Sequence, residues 1–352
     1  MRMRTLLGTF VPCVLVATAA GCGSGGSERA SLSQLPSAGT RSQVRQTLQS
    51  FIDSMPNVAP AVRARMHLQR HHLGGPGWLS AAARAKTAAK LYVANNYNDS
   101  IGIYNGNLQG GSPIGTITNG VSGPEGLAVD AAGKLYVSNA YNSTVTVYQP
   151  GQTSPSTTYS KNLTFPVAVA VDTAGTVYVA NATGFSFAPG SIVEYPKGST
   201  NPSLTITDAN FQVVESVGLD ASNNLYVTYM NPNETGQINE YAPGQSSGKN
   251  LNISLGFAGG ITLDSAKNLL VTDQSLPAIE VFPPGQTNPS KTFGTTNATV
   301  ALAFNHPGKK LFAADVSANQ IDVYTYPAAT LYTTFTTGVE APMGVALSPT
   351  HV

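Results

Sequence analysis

One recurring pattern leaves this chain few ways to fold. From Leu91 onward a short apolar strand ending in Asp is followed by a Gly or Asn turn, an aromatic-rich strand ending in Asn or Asp, a variable loop, and a strand ending in Tyr or Phe. The clearest copy runs through Gly126–Asp130, Leu135–Asn139 and Val145–Tyr148. It returns as Val169–Asp172, Val177–Asn181 and Ile192–Tyr195, then as Val217–Asp220, Leu225–Tyr229 and Ile238–Tyr241. Two further copies use Ile261–Asp264, Leu269–Asp273 and Ile279–Phe282, then Ala301–Phe304, Leu311–Asp315 and Ile321–Tyr324. Runs this short, β-branched or aromatic and bounded by turn residues, are strands. Residues 91 to 348 are 258 positions, six units of ~43, the period of four-stranded propeller blades.

The two ends of the repeat say how it closes. The first copy opens at its second strand, Leu91–Asn95, and has no strand ending in Asp; the C-terminus supplies an orphan one, Gly344–Ser348. Together they make one blade, and a ring closed in this way leaves no long open sheet edge. The expected fold is all-β, a six-bladed β-propeller over residues 91–352, closed by pairing of the C-terminal strand with the first blade. Its motifs, "GLAVDAAGKLYVSN" alternating with "VTVY" and Pro-Gly turns, resemble the NHL and YVTN-type β-propellers over essentially all of 91 to 348. The resemblance implies an extracytoplasmic propeller. It is strong for fold and weak for activity, because such propellers include binding scaffolds, surface proteins and some enzymes.

The N-terminal segment reads as an address. Arg2 and Arg4 precede an apolar stretch from Leu6 to Ala20 and small residues before Cys22, the layout of a secretory signal over 1–21. Thr18-Ala19-Ala20-Gly21-Cys22 resembles a bacterial lipobox, which implies acylation of Cys22 and a place in the bacterial cell envelope, periplasmic or at the surface. Cys13 leaves with the signal, so Cys22 has no intrachain partner. Residues 22–90 are expected to be a flexible basic tether, with one amphipathic helix near Arg41 to Met55. His67 and His71 share a helical face there, but Arg63, Arg65 and Arg70 interleave them and repel a cation.

Charge is divided along the chain. The formal net charge is +1, yet residues 22–90 carry +7 and residues 91–352 carry −8, with no Arg after Arg84. An acidic ring lacking the bidentate phosphate binder excludes nucleic acid as a partner. The expected partner is a protein or glycan of the cell envelope, met by a monomer that touches the membrane through its lipid anchor only.

Chemistry is sparse in the repeat. Gly244-Gln-Ser246-Ser-Gly248 fits the nucleophile elbow G-x-S-x-G, but turns of Pro150-Gly151, Pro196-Lys197-Gly198 and Pro284-Gly285 fill the equivalent place in three other blades and no helix follows. The ring region has only His306 and His351 to serve as a base, so no catalytic residue is assigned. One ring position, five residues before each strand-ending Asp, holds Glu125, Val167, Glu215, Gly259, Val300 and Met343. Glu125 and Glu215, two blades apart, are candidate ligands for Ca²⁺ or Mg²⁺ in the channel mouth. That place resembles the metal site of gluconolactonase-type propellers, which implies a metal-dependent lactonase or hydrolase as the rival function. The other four positions are apolar or Gly, and the plainer reading makes both glutamates a solvated rim. Second-strand ends Asn95, Asn139, Asn181, Asp273 and Asp315, with loop aromatics Tyr97, Tyr141, Phe185 and Tyr229, are candidate ligand-binding residues suited to sugars or peptide. The plainer alternative is that the Asn and Asp side chains satisfy backbone groups where strands turn.

Overall fold

The computed structural model describes residues 77–84, 89–106, 110–183, 189–276, 278–294, 298–305 and 308–348. The expected signal peptide, Cys22, the helix near Arg41, His67, His71 and Phe185 lie outside them. The described chain forms six antiparallel sheets arranged as a six-bladed propeller. Blade two is representative, ordered from the axis outward as Pro124–Val129, Leu135–Asn139, Thr144–Tyr148 and Thr157–Tyr159. Blades three to six repeat that order, with innermost strands Phe165–Val171, Val213–Leu219, Ala258–Leu263 and Thr299–Phe304.

Blade one is assembled from both ends of the ring. Pro342–Leu347 is its innermost strand and pairs antiparallel with Lys90–Asn95, placing Leu91 opposite Leu347, Val93 opposite Val345 and Ala94 opposite Gly344. Lys90 fixes the register at the far end, where its backbone N–H donates to Ser348 Oγ at 2.8 Å and its carbonyl accepts from the Ser348 N–H at 2.9 Å. The expected closure is the observed one. Alternating strand residues then fill the gaps between neighbouring sheets, and each of six large apolar clusters lies between two adjacent blades. The cluster between blades six and one joins Phe312, Val323 and Phe335 to Leu91, Val93 and Val345. Core packing is therefore continuous around the circle.

Every innermost strand carries a register shift at the same height, at Glu125–Gly126, Val167, Glu215, Gly259–Gly260, Val300 and Met343. A β-bulge adds twist and bend, and six of them at one level turn the inner strands together. The residue after the bulge is small in all six blades: Gly126, Ala168, Ser216, Gly260, Ala301 and Gly344. Contact distance explains the restriction. A Cβ on Gly344 would stand 2.1 Å from the Glu125 carbonyl oxygen, and one on Gly126 would stand 2.5 Å from Ala168 Cα. Each inner strand thus packs its backbone directly against the next.

The ring also begins earlier than residue 91. Trp78 and Leu79 pair with Thr116 and Gly115 as a fifth, outermost strand of blade one, and a short helix, Ala81–Arg84, follows. Ala83 is buried in the core between blades one and two. Gly115 makes room for this strap, since a Cβ there would come within 2.8 Å of Leu79 Cδ2 and 3.2 Å of Ala83 Cβ. Residues 77–84 are thus packed on the blade rather than lying free as tether.

Closure through backbone-to-backbone contact predicts a sharp steric limit. Gly344→Val should lower the free energy of unfolding by about 2–4 kcal/mol, because the overpacked strand must leave the Glu125 carbonyl. The midpoint of urea unfolding measures it, and an unchanged midpoint would show that the inner strands have room to spare.

Candidate functional site

The loops between second and third strands share a face with the segments leading into each innermost strand, and this face holds nearly all the candidate residues. Asn95, Asn139, Asn181, Asp273 and Asp315 occupy one equivalent position and are all buried. Their side chains turn to the backbone. Asn139 Oδ1 accepts from the Ser122 N–H at 3.0 Å, and Asn181 Oδ1 accepts from Thr164 and Phe165 at 2.7 and 3.1 Å. Asp273 takes the N–H groups of Gly256 and Phe257, Asn95 takes that of Glu340, and Asp315 takes that of Ala318. Asn95, Asn139, Asn181 and Asp273 tie the incoming loop to its blade, whereas Asp315 turns to the loop that leaves its own strand. The plainer reading of the sequence describes them.

Tyr229 holds the corresponding place in blade four and is also inside. Its ring packs on Phe211 with centroids 4.9 Å apart, and its hydroxyl donates to Asn239 Oδ1 at 3.0 Å. Tyr97 and Tyr141 differ, being half-buried on the face. Gly123, at φ +56°, lies under the Tyr141 ring, and a Cβ there would meet it at 2.4 Å. The Tyr141 hydroxyl donates to Asn96 Oδ1 at 3.1 Å, while Asn96 Nδ2 donates to Glu125 Oε1 at 2.8 Å. Beside them Asn98 Nδ2 donates to Glu340 Oε2 at 3.1 Å, joining blade one's loop to the segment entering the closing strand. Asn96 was missed in the sequence. Its signal was the doubled Asn95-Asn96, where the equivalent pairs are Asn139-Ala140 and Asn181-Ala182.

The two glutamates occupy the expected ring position but not the expected surroundings. Neither is a solvated rim residue, since Glu125 is 2% and Glu215 7% exposed. Blade three carries Ala182 at the station where blade one offers Asn96 to Glu125, and Glu215 Oε1 has no hydrogen-bond partner. Burial alone pushes the Glu215 carboxyl well above the ordinary carboxylate range. Other unpartnered buried atoms lie nearby in the ring order: Gln212 Oε1 on blade four, Thr272 Oγ1 and Gln274 Nε2 on blade five. Among the described residues no three His, Cys, Asp or Glu side chains converge as ion ligands.

Elsewhere the repeat's carboxylates are turn formers. Asp130 Oδ1 accepts from Ala132 and Lys134, both at 2.9 Å, and Asp220 and Asp264 accept from the N–H groups two and four residues on. The Gly244–Gly248 stretch is an exposed turn closed by the Gln245 N–H on the Ala242 carbonyl, with no helix after it. It does not raise Ser246 as an elbow would.

Glu215 makes pH a probe of the site. Its acid is favoured neutral in the fold, so the stability it allows is present below the unfolded-state pKa of ~4.3 and is lost as pH rises. Glu215→Val, which copies Val167 and Val300 of the same ring position, should gain about 1–3 kcal/mol at pH 8 and progressively less toward pH ~4. Thermal melts across that range measure the difference, and parallel curves for the two proteins would refute it.

No family model matches the chain, and no curated protein does. Solved structures are similar in fold. A chain of a nidogen/laminin complex superposes with a TM-score of 0.62 at 17% identity, covering 75% of this chain and all of that one. Hydrazine synthase of Kuenenia stuttgartiensis gives 0.54 at 13% identity over 80% of this chain and 94% of that one. A functionally unknown protein from Desulfotomaculum acetoxidans DSM 771 gives 0.54 at 13% identity, covering 74% and 99%. At such identities the likeness is one of architecture, and it places the chain among β-propellers.

Proposed function

We propose that this chain is an extracytoplasmic, lipid-anchored propeller of the NHL/YVTN type, a binding scaffold whose loop face takes a partner protein or glycan of the cell envelope. One observation carries the reading. The Tyr141, Asn96 and Glu125 network spans blades one and two and fixes the half-buried Tyr141 ring on a face already tied to the rigid ring. Rings held in this way bind with little further loss of side-chain freedom. Tyr97 and Tyr141 supply apolar area, and Asn98 and Asn142 supply amide groups, the mixture that suits a sugar ring or an extended peptide. Cys22, preceded by its apolar stretch, supplies the anchor. The rival, a Ca²⁺- or Mg²⁺-dependent hydrolase, has less support, because Glu125 is engaged by Asn96.

Two measurements in cells test the reading. The wild-type protein should take up palmitate label in cells, and Cys22→Ser should abolish that label. A photo-crosslinking residue at the exposed position of Asn142 should give one discrete adduct, reduced about tenfold by Tyr97→Ala with Tyr141→Ala, given ~0.5–1.5 kcal/mol per aromatic contact. An unlabelled wild-type protein, or label kept by Cys22→Ser, would remove the anchor; an adduct indifferent to both tyrosines would remove the binding face.

A further inference from the structure

Of the four large apolar side chains that stand in solvent among the described residues, Leu276 lies in a loop of blade five, and Trp78, Leu331 and Tyr332 belong to the outermost strands of blades one and six, neighbours at the closure. These last are 49%, 54% and 54% exposed. Strand alternation says where they point. Leu79 packs against the core between blades one and two, so Trp78 is turned to the other face of its sheet, toward blade six. On blade six Tyr324 packs into the core shared with blade five, which turns its neighbour Thr325, and Lys310 paired with it, toward blade one. Lys310 Nζ stands 3.2 Å from the centre of the Tyr332 ring, so Tyr332 shares that side. Trp78 and Tyr332 thus turn to the same side of the closure, where the loop before Gly115–Ile117 brings Gly110 against Thr333 and Thr334, while Leu331, paired with Tyr324, stands on the blade-five side of the same outer strand.

The charge of this corner runs against that of the ring. Residues 91–352 carry −8, yet the only acids of the last blade, Asp315 and Asp322, are buried. Lys309 is exposed and Lys310 half-buried; Lys291 is exposed beside them, its Nζ donating to the Pro327 carbonyl at 2.6 Å. Trp and Tyr with a Leu and flanking lysines is the composition that settles at a bilayer interface, rings among the headgroups and ammonium groups at the phosphates. The chain arrives at this corner from its N-terminal side, since Gly77 directly precedes Trp78.

We propose that the outer rim of blades one and six is a membrane-docking surface for anionic lipid headgroups, seated by Trp78, Leu331 and Tyr332 and held by Lys309 and Lys310, with Lys291 at the adjoining edge of blade five. It rests on the reading of Cys22 as a lipid anchor, and it adds a second, weaker contact of the kind that turns attachment into orientation. A ring docked by its rim stands edge-on, and both of its faces stay clear of the bilayer.

Trp78 is the chain's only tryptophan, so its fluorescence reports on the rim alone. The mature chain from residue 22 carrying Cys22→Ser, hence unacylated and without the signal, is titrated with vesicles of phosphatidylglycerol and phosphatidylcholine in low salt, with and without brominated acyl chains. Trp78 emission should shift to the blue and be quenched by the brominated lipid. Lys309→Gln with Lys310→Gln should weaken that partition by roughly fivefold per lysine, and Leu331→Ser with Tyr332→Ser should abolish the quenching. Emission indifferent to vesicles, quenching equal in purely neutral vesicles, or a shift produced only by soluble envelope polysaccharide would each overturn the proposal. Failure of the anchor shows separately, as absence of palmitate label on the wild-type protein in cells, and leaves the vesicle result to stand or fall by itself.

Discussion

The antiparallel pairing of Pro342–Leu347 with Lys90–Asn95 is the contact on which the rest of the molecule depends. Without it blade one loses its innermost strand, blades six and two lose the backbone they pack against, and the core between blades six and one opens. The contact joins residues at opposite ends of the repeat, so its loop-closure entropy is among the largest the fold must overcome. Six continuous apolar interfaces offset that cost together. No single blade buries both faces of its sheet until the ring is complete.

Bulges and small residues at one height give the ring its axis. Because Gly126, Gly260 and Gly344 bring backbone onto backbone, the residue at each bulge has its environment set by two blades at once. This is why two chemically identical side chains come to differ. Glu125 receives an amide from the preceding blade, whereas Glu215 meets Ala182 and keeps an orphan oxygen. A buried carboxyl without a partner works against folding. Its place in an otherwise well-satisfied ring marks blades four and five as the part of the axis least determined by stability.

Most of the fold could be read from the residues, because strand, turn and closure signals agree at every level. The period gave six blades, the split first copy gave the seam, and the repeated Asp gave the turns. The site was less legible, for a physical reason. An Asn at a strand end presents the same side chain whether it meets a ligand or an amide of its own backbone, and only the path of the incoming loop decides between them. Asn139 and Asn181 have that loop overhead. The glutamates were legible in position and illegible in exposure, since burial there comes from neighbouring blades. Trp78 and Leu79 were hidden differently: two residues are too short a run to announce a strand, and Gly115 shows its purpose only once Ala83 lies on it.

The fifth strand has a mechanical consequence. A pull transmitted from the N-terminal side enters at Gly77 and meets first the two residue pairs joining Trp78 and Leu79 to the sheet. Three strands stand between that point and the closing strand at the axis. Load applied there peels bonds at the periphery one after another instead of shearing the seam, so the strap can give way as a fuse while the circle inside it stays whole.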